Sequence, residues 1–153
     1  MKITVCGSIA FYPEIEKLKE ELETRKHEVA IPRLDKIVPQ YSNDLKINFM
    51  EYIENNGGID AFPPHDPIWT AKHDALNEHF KKIEWADAII VMNREKRGVE
   101  GYIGGNTLIE IGLAFYLKKI IYILNPISSE LSYKQEIYGV KPVLLDGNLD
   151  LIR

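Results

Sequence analysis

The sequence predicts a three-layer α/β/α domain of the Rossmann or flavodoxin-like type, with a five-stranded parallel sheet. Short apolar runs alternate with stretches in which hydrophobic residues recur at helical spacing, and this alternation is typical of βαβ units. The strand candidates are apolar on both faces, as expected when helices cover a sheet on both sides. No repeat or linker interrupts the 153 residues, so we expect one domain over residues 1–153.

The individual elements follow from start signals and apolar stripes. Pro13 suits the first turn of a helix, in which Ile15, Leu18 and Leu22 form an apolar stripe among charges. Three prolines within residues 61–67 exclude a regular element there. We therefore expect strands at 2–6, 29–31, 86–92, 120–124 and 142–145, and helices at 13–26, 43–56, 68–84, 107–117 and 130–137.

Composition excludes several classes of function. With 19 Lys and Arg against 23 Asp and Glu, the chain lacks the basic surface of a nucleic-acid-binding protein. The apolar stretches near 108–117 and 120–124 are too short to span a membrane, and the first apolar run is too short for a signal peptide. A single cysteine, Cys6, and scattered histidines offer no metal cluster. We expect a cytoplasmic protein with no metal, no cofactor and no nucleic-acid or membrane partner.

Three loops are candidates for ligand binding, because ligands of open parallel sheets bind beyond the carboxyl ends of the strands. These loops follow Cys6, Met92 and Leu124. The first contains the segment 7–9 (Gly-Ser-Ile), which combines a small residue with a hydroxyl group, although a plain strand-to-helix turn is the simpler explanation. Asn93 follows the third strand and is a candidate hydrogen-bond donor to a ligand.

Glu110 is the one charged residue within the apolar stretch 108–117. Such a helix is expected to be buried, and a buried carboxylate requires a reason. Thr107 precedes Glu110 by three residues, which is the spacing of a capping box. Alternatively, Glu110 faces a pocket as a nucleophile or base. The preceding turn, 104–107 (Gly-Gly-Asn-Thr), presents backbone N–H groups at a helix N-terminus, where anions or sugar hydroxyls bind.

These segments together resemble the nucleoside 2-deoxyribosyltransferase superfamily, which includes the nucleoside 5′-monophosphate N-glycosidases. The resemblance rests on the Gly-Ser turn at 7–8, the strand ADAIIVMN at 86–93 and the segment GGNTLIEIGLAFYLKKIIYILNPI at 104–127. It implies that Glu110 attacks the anomeric carbon of a nucleoside or nucleotide, and that Gly112 and Ala114 are small so that their helix packs closely. It also implies a homodimer or a larger homo-oligomer.

The chain departs from the family pattern at the remaining site positions. Members often carry Asp eight residues before Asp87, where this chain has His79. A histidine there is a candidate proton donor to the departing base, or an ordinary partly buried residue. The substrate-recognition groups of the family therefore do not carry over. From the turns themselves we expect a sugar or phosphate subsite lined by Gly7, Ser8, Gly105, Asn106 and Thr107. We expect Ile9, Asn93 and Gly104 to bind the substrate beside them.

Two other functions compete with N-glycosidic transfer or cleavage. The run from Gly104 to Glu110 partly matches the Gly-Gly-x-Gly-Thr-x-x-Glu motif of phosphoribohydrolases of the cytokinin-activating type. A nucleotide-sensing module would bind the same ligand without turnover, and the fold alone does not separate a sensor from an enzyme.

Overall fold

The computed structural model describes residues 1–33 and 49–153. Five strands form a single sheet in which every pairing is parallel, in the order β2–β1–β3–β4–β5. The predicted α/β fold with a five-stranded parallel sheet is therefore confirmed. The strands are β1 Lys2–Gly7, β2 Glu28–Ala30, β3 Ala88–Met92, β4 Ile120–Ile123 and β5 Val143–Leu144.

The helices agree with the predicted ones in order and differ in their ends. They are α1 Tyr12–Thr24, α2 Phe49–Asn55, α3 Ile68–Trp85, α4 Gly105–Tyr116 and α5 Lys134–Gly139. The part of the expected helix 43–56 that precedes residue 49 lies outside the described residues. Helix α5 begins four residues later than predicted, since residues 129–133 form turns. Within the described ranges, no helix has the length and apolar character that a membrane span requires.

The chain divides into two compact units, of which the first comprises residues 1–32 and 80–153. It contains the sheet, with one apolar core on each face. On one face, side chains of α1 such as Ile15 and Leu18 pack against alternate residues of β1 and β3, such as Ile90. Side chains from α4 and α5 pack on the other face, together with Cys6 and Ile123.

The second unit comprises residues 33–79 and contains α2 and most of α3. The Asp66 carboxylate accepts a hydrogen bond of 2.9 Å from the Ile68 amide, which satisfies a free N–H group at the start of α3. The Trp69 indole donates a 2.8 Å hydrogen bond to the Pro63 carbonyl, and its ring centroid lies 6.1 Å from that of Phe49. The proline-rich loop is therefore held to α3 by side-chain hydrogen bonds rather than by regular structure.

The carboxyl ends of β1 and β3 lie side by side, and the sheet extends from β1 in both directions. β1 pairs with β2 on one side and with β3 on the other, so strand order reverses at β1. Gly7, the last residue of β1, is in register with Met92, the last residue of β3. A Cβ atom at Gly7 would lie only 3.0 Å from the Met92 carbonyl oxygen, so a larger residue there would force the two strand ends apart by a few tenths of an ångström. This is the switch point at which open α/β sheets bind ligands.

Candidate functional site

Glu110 lies on the buried side of α4. The buried residues of this helix are Thr107, Glu110, Ile111 and Ala114, which recur at helical spacing and form a single stripe. Glu110 is 6% exposed. The prediction that this carboxylate is buried is therefore confirmed.

The capping-box explanation of Glu110 is wrong. Helix α4 begins at Gly105, two residues before the predicted start, because Gly104 is extended (φ −83°, ψ 170°) and takes the N-cap position. Thr107 is then the third helical residue and Glu110 the sixth, whereas a capping box needs Glu at the third. The N-cap glycine itself has no side chain with which to cap the helix. Glu110 therefore lies nearly a full turn too far along α4 to satisfy its N-terminus.

The Glu110 carboxylate meets the thiol of Cys6, near the end of β1. The Cys6 Sγ atom and a Glu110 carboxylate oxygen lie within 4.8 Å of each other, and the two side chains form a hydrogen bond. Burial raises the pKa of the Cys6 thiol well above its ordinary value, and the Glu110 charge and this hydrogen bond raise it further. The thiol therefore remains protonated at neutral pH and donates to the carboxylate. Sequence analysis did not find this contact, since the two residues are 104 positions apart.

The N-terminus of α4 leaves its first N–H groups open. Gly105 and Asn106 are exposed, and the N-cap residue Gly104 offers no side-chain cap. A Cβ atom at Gly104 would lie 3.2 Å from the Tyr102 ring, so glycine allows this ring to cover the turn. Uncapped N–H groups combined with the helix dipole form a site that favours anions and hydroxyl oxygens.

A lysine that the sequence analysis did not single out connects the two predicted turns. The Lys96 Nζ atom donates a 2.9 Å hydrogen bond to the Ser8 hydroxyl oxygen and lies 5.3 Å from the centre of the Tyr102 ring. Ser8 also accepts a 3.3 Å hydrogen bond from the Ala10 amide. Ser8, Lys96, Tyr102 and Gly104 thus form a continuous series of contacts that adds a positive charge to this edge of the sheet.

Asn93 holds the ends of β3 and β4 together. It is fully buried, and its Nδ2 group donates to the carbonyl oxygens of Asn125 (2.9 Å) and Pro126 (3.3 Å). Its Oδ1 atom accepts from the Asn125 amide at 2.9 Å. Both Nδ2 hydrogens are therefore donated to carbonyl groups of the described chain, so the prediction that Asn93 donates to a ligand is wrong.

The other predicted residues are placed as follows. Ile9 is half-buried in a 3-10 turn after β1, and Thr107 is buried at 2% exposure. His79 is 7% exposed and is the last residue of the second unit, on α3. Its role as a proton donor stays a prediction. Gly112 does not serve close packing within the described chain, because it is exposed and a Cβ atom there would have no neighbour within 4 Å.

A cavity lies on the face of the sheet opposite Glu110. Its volume is about 280 Å³, and it is lined by Glu14 and Lys17 of α1, by Met92, and by Arg94 and Asn125 after the strand ends, among others. Met92 belongs to the core under α1, whereas Cys6 belongs to the core under α4. This cavity therefore lies on the α1 face of the sheet, whereas Glu110 lies on the α4 face.

Comparison with solved structures identifies a similar fold. One such structure is that of a 2-deoxyribosyltransferase from the psychrotolerant bacterium Bacillus psychrosaccharolyticus, which superposes with a TM-score of 0.53. The two chains share a fold. The alignment covers 88% of this chain and 79% of the other, and 15% of the residues are identical. No family model and no curated protein matches the chain. The resemblance seen in the sequence is thus confirmed for the fold, over most of the chain.

Proposed function

We propose that this protein cleaves or transfers the N-glycosidic bond of a nucleoside, a deoxynucleoside or one of their 5′-monophosphates, with Glu110 as the nucleophile. The observation that carries the proposal is the placement of Glu110, a buried carboxylate that does not cap its helix and that meets β1 at the switch point of the sheet. The likeness to a 2-deoxyribosyltransferase fold supports the same assignment.

The proposed chemistry requires a carboxylate and an acid, without a cofactor. A carboxylate oxygen of Glu110 forms a bond to C1′ while the bond from C1′ to the base nitrogen breaks, and its electron pair stays on that nitrogen. An acid protonates the departing base. On the family resemblance, we assign this acid to His79. The resulting glycosyl ester is resolved by a second base, which gives transfer, or by water, which gives hydrolysis.

We propose that the turns at the carboxyl ends of β1 and β3 bind the sugar and any 5′-phosphate. The open N–H groups at the start of α4 and the Lys96 ammonium beside Ser8 supply the donors and the positive charge that an anionic group requires. This subsite comprises Gly7, Ser8, Ile9, Gly104, Gly105, Asn106 and Thr107, with Asn93 behind them. Lys96→Ala should therefore weaken the use of monophosphates more than that of free nucleosides.

The test is to incubate the protein with a panel of nucleosides, deoxynucleosides and their 5′-monophosphates, and to measure the release of free base by chromatography. Glu110→Ala and Glu110→Gln should both lower the rate at least about 10³-fold, because an amide cannot form the glycosyl ester. Glu136→Gln, an exposed change on α5, is the matched control and should leave the rate unchanged. Adding a second base distinguishes a transferase from a hydrolase.

Other outcomes of this assay point to the alternatives. Tight binding of a nucleotide without release of base would identify a sensor. Release from ribonucleotides with none from deoxynucleosides would favour a phosphoribohydrolase. Full activity of Glu110→Gln would refute the assignment of Glu110 as the nucleophile.

We also propose that α4 contributes to a homodimer or a larger homo-oligomer. Its outer surface is apolar, with Ile109 at 52%, Phe115 at 56% and Tyr116 at 81% exposure. Exposed apolar groups at adjacent positions on a helix are typical of a surface that another chain covers. Sedimentation analysis should show more than one chain per particle, and Phe115→Lys should produce monomers.

A further inference from the structure

We propose that Cys6 is a positioning residue, whose thiol holds the Glu110 carboxylate in the orientation from which it attacks the sugar. This inference rests on the proposed role of Glu110 as the nucleophile. It assigns a function to the single cysteine of the chain.

The contact is formed by two elements that the sheet holds in place. Cys6 is the fifth residue of β1, is 0% exposed and is in register with Val91 of β3. Its Sγ atom lies within 4.8 Å of a Glu110 carboxylate oxygen, and the two side chains are hydrogen-bonded. Most of the side chains that form this core face are aliphatic, among them Ile111 and Ile123. A carboxylate in such surroundings depends strongly on each donor that it receives.

A thiol has a specific advantage as the donor to a nucleophilic carboxylate. The terminal torsion of a glutamate side chain is broad, so an unsupported carboxylate samples many orientations. One hydrogen bond to one of its oxygens reduces this freedom. A lysine or arginine at the same place would neutralise the negative charge on which the attack depends, whereas a thiol is neutral and a weak donor.

The first experiment compares two substitutions of Cys6 in the base-release assay. Cys6→Ala removes the donor and should lower kcat about tenfold, while KM changes less than about twofold, because ground-state contacts with the substrate are retained. Cys6→Ser supplies an O–H donor at the same position and should restore kcat to within about threefold of the wild type. Val5→Ala, on the opposite face of the same strand, controls for general weakening of β1.

Each result of this comparison decides the proposal. A Cys6→Ala enzyme with wild-type kcat would overturn the positioning role. So would a Cys6→Ser enzyme as slow as Cys6→Ala, since the effect would then follow from the size of sulfur and not from the donated hydrogen. A Val5→Ala enzyme with the same loss of kcat and the same KM would also overturn it, because the loss would then follow from a weakened β1 and not from the missing thiol.

The second experiment needs no catalytic activity. Denaturant unfolding is measured for Cys6→Ala, for Glu110→Leu and for the variant that carries both changes. If the thiol donates to the carboxylate, the double variant should lose less stability than the sum of the two single losses. Additive losses would overturn the proposed contact. A wild-type protein that releases no base, combined with non-additive losses, would instead refute the proposed function while retaining the contact.

Discussion

Replacing Asn93 by alanine should be among the most destabilising changes at the carboxyl edge of the sheet. Asn93 is fully buried between the ends of β3 and β4 and forms three side-chain hydrogen bonds to the segment at 125–126. Alanine removes all three at once and leaves two carbonyl groups and one amide of that segment without these partners. The two strand ends would then lose the cross-link that fixes their separation.

The magnitude follows from the number of bonds. A buried hydrogen bond contributes about 1 kcal/mol net, so three of them give a loss of about 3 kcal/mol. For a chain of this length, each kcal/mol corresponds to roughly 2–4 °C in melting temperature, and Asn93→Ala should therefore lower Tm by roughly 6–12 °C. Asn125→Ala is the matched control, since the Asn125 side chain donates a single 3.0 Å bond, to the Asn93 carbonyl. It should cost about 1 kcal/mol.

Circular dichroism melts and urea unfolding of the two variants measure both values. The decisive quantity is the ratio of the losses, which we expect to be near three because the two residues lie at the same strand ends. Equal losses for Asn93→Ala and Asn125→Ala, or a loss below about 1 kcal/mol for Asn93→Ala, would refute the reasoning that Asn93 acts as a cross-link.

Three further predictions concern other residues of the first unit. Gly101→Ala should lower the unfolding free energy by about 3 kcal/mol or more, because the new Cβ atom would collide with the Pro126 carbonyl at a φ of +65°. Gly98→Ala is the control, since Gly98 has a φ of +81° but no neighbour within 4 Å, and it should cost only about 1 kcal/mol. Urea unfolding measures both losses. Gly112→Ala should stabilise a monomer by about 0.5–1 kcal/mol, and a loss would show that another chain packs against it. The raised pKa of Cys6 should make the unfolding free energy fall above about pH 8.5, since the thiol ionises there only in the unfolded chain; Cys6→Ser should remove this part of the slope.

The strands and helices could largely be predicted from the sequence, because their signals are local. The apolar run 86–92 contains β3, and Pro13 and the stripe at Ile15, Leu18 and Leu22 identify α1. The start of α4 could not be predicted. The spacing of Thr107 and Glu110 suggested a capping box, but the conformation of Gly104 moves the helix start to Gly105. A glycine adopts many backbone conformations at similar cost, so its neighbours in space decide which one it takes.

For the candidate site, the sequence by itself determined that a carboxylate stands within an apolar helix and that glycine-rich turns precede it. Only the tertiary structure decided what Glu110 meets. The parallel pairing of β1 and β3 brings Cys6 to the same core face as α4, and the loop after β3 brings Lys96 to Ser8. The partners in these contacts are 104 and 88 residues apart in the chain. Periodicity and spacing report on neighbours within a helix or strand, whereas contacts of this kind depend on how the strands are ordered in the sheet.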